Sequence, residues 1–137
     1  MKVLVDTNVV LAAMATRGVG AELFEYLCVH HEVLLAEFVL DEVSEKLRKK
    51  FRVPDGLVDL RMAWLREQGR IVAAVQPDAS WCRDADDDNV IAAALAADAA
   101  AILTGDADLL VLGKVQGVAM VAPRDWYRFE AMPRLVG

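Results

Sequence analysis

Carboxylates dominate four short segments spaced far apart along this 137-residue chain: Val5-Asp6-Thr7-Asn8, Leu40-Asp41-Glu42-Val43, Asp84-Ala85-Asp86-Asp87-Asp88-Asn89 and Thr104-Gly105-Asp106-Ala107-Asp108. Carboxylates drawn from distant segments repel one another if a fold brings them together. The usual reason for such convergence is a divalent cation. Mg²⁺ and Mn²⁺ favour hard oxygen ligands and are held by a few carboxylates, with water completing the shell. The chemistry on offer is metal-assisted attack on a phosphate ester.

Each segment also has a plainer explanation. Asp6 ends an apolar strand and precedes a helix, so it could cap that helix. Thr7 or Asn8 could do the capping instead and free Asp6 for metal. Asp106 stands at a second strand-to-helix turn, where Gly105 allows an unusual backbone angle or close approach of a ligand. Thr104 offers a hydroxyl beside it. Asp108 could add a ligand through water or merely complement the helix dipole. Asp86, Asp87 and Asp88 are contiguous, which is costly without a counter-ion, yet a solvated acidic loop would look the same. Glu42 flanks an apolar helical stripe, where an exposed glutamate usually serves solubility.

The elements that must position these groups follow from hydrophobic spacing. Short apolar runs predict strands over 1–6, 32–36, 70–75, 100–103 and 118–121. Helical spacing predicts helices over 8–15, 21–29, 37–51 and 54–68, with Leu40, Val43, Leu47 and Phe51 as one stripe and Gly69 as a stop. Asp88 or a neighbour caps a further, alanine-rich helix running to 98, with no charge in its body and therefore buried against the sheet. Short helices over 106–112 and 123–129 complete the pattern. Strands alternating with helices argue for an α/β sandwich around a mostly parallel sheet of about five strands. Ligands in such folds sit beyond the carboxyl ends of the strands, where Asp6 and Asp106 fall.

Composition narrows the function further. A chain of 137 residues, 56% hydrophobic, suits one domain with a proper core. No apolar run reaches the length of a membrane span, and the N-terminus enters a strand directly, so a cytoplasmic location with no membrane is the default expectation. Cys28 and Cys82 match no zinc spacing and read as reduced thiols. His30 and His31 are adjacent and cannot both face one site. The net charge of −6 disfavours generic nucleic-acid binding unless metal or a local basic patch offsets it. Lys46, Arg48, Lys49, Lys50 and Arg52 form such a patch, which reads first as a solvated helix end but could steer RNA or contact a partner. Trp126, Tyr127 and Phe129 lean towards the core over an interface.

The order of the acidic segments resembles that of the PIN-domain nucleases, especially the VapC-like toxins of toxin–antitoxin pairs. The matching pieces are Val5-Asp6-Thr7-Asn8, Leu40-Asp41-Glu42-Val43 with downstream Leu47, Asp84-Ala85-Asp86-Asp87 and, most specifically, the run from Ile102 to Leu110. The resemblance covers nearly the whole chain. It implies a PIN-like three-layer sandwich as a single domain over 1–137, with Asp6, Glu42, Asp87 and Asp106 as catalytic metal-binding acids and Asp108 as an accessory ligand. Asn8 and Thr104 would support them through hydrogen bonds.

It further implies a Mg²⁺- or Mn²⁺-dependent endoribonuclease, an RNA substrate, a cognate antitoxin and a homodimer. Two ions about 3.5–4 Å apart would clamp the phosphate, and a metal-activated water would attack in line. No lysine or arginine is clearly placed to hold phosphate; Arg17 is the candidate. Another phosphoesterase is the first alternative, weakened because a nucleophilic Asp would want a second Asp where Asn8 stands. A receiver domain would want an acid after the third strand, where Val75-Gln76-Pro77 stands instead. A PIN-like module that binds RNA or protein without cutting is the second alternative, disfavoured by the intact acid set.

Overall fold

A computed structural model describes residues 1–15 and 19–133. Six strands form one sheet in the order β3-β2-β1-β4-β6-β5. They are β1 (Lys2–Val5), β2 (Glu32–Ala36), β3 (Arg70–Val72), β4 (Ala101–Leu103), β5 (Lys114–Val115) and β6 (Val118–Val121). The helices are α1 (Thr7–Ala15), α2 (Val19–His30), α3 (Glu37–Lys49), α4 (Asp55–Gln68), α5 (Ala85–Ala96), α6 (Ala107–Leu110) and α7 (Trp126–Ala131). All strand pairs are parallel except β5 with β6. The expected α/β sandwich with a mostly parallel sheet is the fold observed.

The core explains the parallel arrangement. Val3, Leu4 and Val5 in β1 and Ala101, Ile102 and Leu103 in β4 are fully buried. Strands covered on both faces must be apolar at every position. β1 is central, with β2 on one side and β4 on the other. The chain returns from β1 to β2 through α1 and α2, then reaches β4 only after β3 and α5. Strand order therefore reverses between β1 and β4. That reversal opens a crevice at their carboxyl ends, the place where such sheets take ligands. The register Val5↔Leu103 sets Asp6 beside Thr104 at that edge.

Several expectations need correction. The sheet has six strands, not five. The extra strand, β5, is half of a hairpin closed by Gln116 (φ 48°) and Gly117 (φ 90°). Positive φ at both central residues is the turn geometry that matches strand twist, and glutamine gave no hint of it. β3 stops at Val72, not Val75, because its partner Ala36 is the last residue of β2 and the next residues of that chain enter α3. Phe51 leaves the α3 stripe, which consists of Val39, Leu40, Val43 and Leu47; it lies beyond the helix and is 44% exposed.

Gly69 does end α4, but in extended conformation (φ −112°), so no left-handed angle requires it. Room requires it: a Cβ there would lie 2.7 Å from Leu35 Cδ1 and 3.3 Å from the Val33 carbonyl oxygen.

Among the described residues, two of the five cations in the basic patch form ion pairs. Arg48 binds Asp55 and Asp59 of α4, and Lys49 binds Glu45. Against expectation, the adjacent histidines face one cluster, their ring centroids 4.5 Å (His30) and 6.2 Å (His31) from that of Tyr26. His31 pairs with Glu130 of α7, which also accepts from the Tyr26 hydroxyl at 2.8 Å. These bonds pull Glu130 below the usual carboxylate range and push Tyr26 up. Trp126 is fully buried beside them, whereas Tyr127 is exposed. Both cysteines are free thiols.

Candidate metal centre

Asp6 leaves β1 directly at the crevice. Its Oδ1 accepts the Thr7 amide at 2.8 Å, and its Oδ2 accepts the Thr104 hydroxyl at 2.8 Å. Thr104 is fully buried at the end of β4. Its Oγ also accepts the Asp106 amide at 3.0 Å, so one hydroxyl fixes two acid-bearing turns. Asp106 then caps α6 by accepting the Asp108 amide at 2.8 Å. Capping and membership of the acidic cluster coexist in this residue. On the other flank the Thr7 hydroxyl donates to Glu42 Oε2 at 2.7 Å and brings an otherwise exposed α3 glutamate to the site. A continuous chain of bonds thus runs Glu42–Thr7–Asp6–Thr104–Asp106–Asp108.

The fourth segment enters from α5. The cap expected at Asp88 or a neighbour is Asp84, which accepts the Asp86 amide at 2.9 Å. Asp88 instead is buried and points back to the preceding loop. It accepts the amides of Trp81 at 2.9 Å and Cys82 at 2.8 Å. Those donors hold its carboxyl below the usual range. Asp86 is exposed. Asp87 turns to the crevice: oxygens of Asp87, Asp106 and Asp108 lie within 4.8 Å of one another. Asp6 and Glu42 adjoin this tight trio; they are not part of it.

The electrostatics reflect that crowding. Burial, then the charges of Asp106, Asp84 and Asp6, push the Asp87 carboxyl up to about 6. Burial also raises Asp6, against the bonds from Thr104 and Thr7, and Asp106 and Glu42 add to the rise. Unrelieved repulsion of this kind suits a cation. Hard carboxylate oxygens from separate elements suit Mg²⁺ or Mn²⁺ better than softer metals. Burial and a bond to Asp88 push the nearby Cys82 thiol up to about 12, and its soft sulfur suits Mg²⁺ or Mn²⁺ less well than carboxylate oxygen.

Asn8 is exposed on the first turn of α1, and no hydrogen bond joins it to the cluster among the described residues. Arg17 lies outside the described residues. Sequence reasoning missed Thr7 as the link to Glu42, and it missed the Asp88 brace. Thr7 had a signal in its place next to Asp6, opposite an α3 face carrying Glu42. Asp88 had none, since only the phase of α5 distinguishes it from its neighbours. Two open cavities, of about 320 and 370 Å³, are lined by no member of the acidic cluster.

A family model of the PIN domain matches residues 2–108, a span that holds every acid of the cluster. Among solved structures the fold is similar to that of VapBC2 from Rickettsia felis bound to a DNA fragment from their promoter. The TM-score is 0.66 at 12% identity, covering 89% of this chain and 98% of that one. It is also similar to PAE2754 from Pyrobaculum aerophilum, with a TM-score of 0.60 at 18% identity over 96% of this chain and 91% of that one. No curated protein matches.

Proposed function

Because the chain belongs to the PIN-domain family, we propose that it is a divalent-metal-dependent endoribonuclease and the toxin of a toxin–antitoxin pair. One observation carries the reading: Asp87, Asp106 and Asp108, from two separate helical segments, bring oxygens within 4.8 Å of one another beside Asp6 and Glu42. Asp6, Glu42, Asp87 and Asp106 are the acids assigned to catalysis, and Asp108 joins them in holding Mg²⁺ or Mn²⁺. When bound, the cations supply Lewis acidity at the scissile phosphate and lower the pKa of water.

The chain's own residues do the positioning. Thr104 holds Asp6 and Asp106 in fixed relation, and Thr7 holds Glu42 against Asp6. Pre-bonded carboxylates need little reorganisation to receive a cation, the support that metal sites need from their surroundings. Attack by water, with no ribose 2′ oxygen as nucleophile, leaves a 5′ phosphate and a 3′ hydroxyl.

RNA is the substrate class, residues 1–137 act as one nuclease domain, and the setting is the cytoplasm. No helix among the described residues is long and apolar enough to cross a membrane. The partners are a cognate antitoxin, a reading supported by likeness of fold to a protein solved in a VapBC2 complex, and a second copy of the chain.

The test is incubation of purified protein with a mixed pool of structured and single-stranded RNA in Mg²⁺, Mn²⁺ or EDTA, beside Asp6→Asn. Metal-dependent cuts that vanish in the variant, with its fold intact by circular dichroism, are expected. Full cleavage by Asp6→Asn, or no heat of Mn²⁺ binding to the wild type, overturns the assignment.

A further inference from the structure

The acidic cluster repels the phosphates it is proposed to cut, so a cation on its rim has work to do. Arg83 stands there. Its Nη2 lies 3.2 Å from Asp108 Oδ1 and 3.5 Å from Oδ2. The other ion-paired arginines among the described residues face acids outside the cluster.

The backbone on both sides of Arg83 is pinned to α5. Before it, the buried Asp88 carboxylate takes the amides of Trp81 and Cys82. After it, Asp84 caps the helix. The same helix carries Asp87. Arg83 is therefore held at its Cα beside Asp87, while its side chain is 87% exposed and ion-pairs with Asp108.

A solvated ion pair of this kind holds weakly. A guanidinium matches the two oxygens of a phosphate in a fork that an ammonium cannot reproduce. We propose that Arg83 is a substrate-phosphate clamp, resting on Asp108 in the free protein and transferring to an RNA phosphate when Asp108 turns its charge to a cation. This rests on the nuclease reading and adds to it the residue that holds the strand. It also explains how an acidic chain can grip RNA without a large basic face.

The test separates the two ideas. Fluorescence anisotropy follows a labelled single-stranded RNA of mixed sequence on wild type, Arg83→Ala and Arg83→Lys. Ca²⁺ replaces Mg²⁺, strand integrity is checked on a gel, and KCl is varied. Mn²⁺ calorimetry runs on each protein, and Mg²⁺-dependent cleavage is scored in parallel.

Arg83→Ala should bind RNA about tenfold more weakly, as expected for loss of a charge-assisted contact. Its log–log salt slope should flatten by about 0.7, the value for one phosphate contact on a single strand. Mn²⁺ affinity should stay equal or rise, because Asp108 is freed. Arg83→Lys should recover the slope but not the full affinity. Unchanged RNA affinity and slope in Arg83→Ala, with the wild type cleaving, overturns the clamp and leaves the nuclease standing. Lost Mn²⁺ binding in that variant overturns it too, since Arg83 would then order the acids. A wild type that neither binds RNA nor takes up Mn²⁺ overturns both.

Discussion

Replacing Asp87 by Asn removes one charge from the cluster and keeps its shape. The Asp87 carboxyl is raised from 3.8 to about 6 by burial and then by Asp106, Asp84 and Asp6. Two units correspond to about 3 kcal/mol of differential interaction. The side chain is open enough to water that screening removes more than half of this, and loss of the favourable first-turn dipole contact takes a few tenths more.

The metal-free variant should therefore be more stable than wild type by about 1 kcal/mol at neutral pH, or about 3–5 °C in Tm for a chain of this size. The sign follows from proton uptake. Between about pH 4 and 6 the folded wild type binds more protons than the unfolded chain, so its stability falls as pH rises through that window. The advantage of Asp87→Asn should then be full above about pH 7 and close towards pH 4. Added Mn²⁺ should raise the Tm of wild type well above that of the variant and reverse the order. Scanning calorimetry in EDTA at neutral and acid pH, then in Mn²⁺, reads all three effects. A variant less stable than wild type in EDTA at neutral pH, or one whose advantage ignores pH, would refute the claim that burial and repulsion together penalise the ionised Asp87.

Other expectations follow from single contacts. Thr104→Val leaves Asp6 and the Asp106 amide each one bond short in a buried position. It should cost about 1–3 kcal/mol in urea unfolding and lower activity beyond what stability explains. Asp88→Asn should destabilise at neutral pH, and the gap from wild type should close as pH falls below about 4, where the depressed wild-type carboxylate finally protonates. Comparing urea midpoints at neutral and acid pH measures this. Gly69→Ala drives a methyl into the buried Leu35 side chain. It should cost about 1–3 kcal/mol with no change in metal affinity, read by thermal melts and calorimetry.

Apolar runs buried on both faces made the central strands readable, and helical spacing located α3, α4 and α5. The four segments that gather at the crevice were visible as acids placed after strands or inside helices. The division of labour among Asp86, Asp87 and Asp88 was not readable. Successive helical residues turn by about 100°, so three adjacent acids point to solvent, to the crevice and back to the loop. Which does which depends on where α5 begins, and that is set by Asp84. The β5 hairpin escaped notice because Gln116 takes a positive φ without being a usual turn residue. Thr7 and Arg83 escaped because their partners, Glu42 and Asp108, are 35 and 25 residues away.

The bond from Thr104 to Asp6 joins residues 98 apart in the chain. During synthesis Asp6 and Glu42 emerge early, but β1 keeps one edge unpaired until β4 is made, because β4 is its second neighbour. Asp106 and Asp108 follow β4 within five residues. The last central strand and the last acids thus arrive together. A growing or truncated chain that stops short of them holds only scattered carboxylates, and docking of β4 against β1 is what gathers the acids.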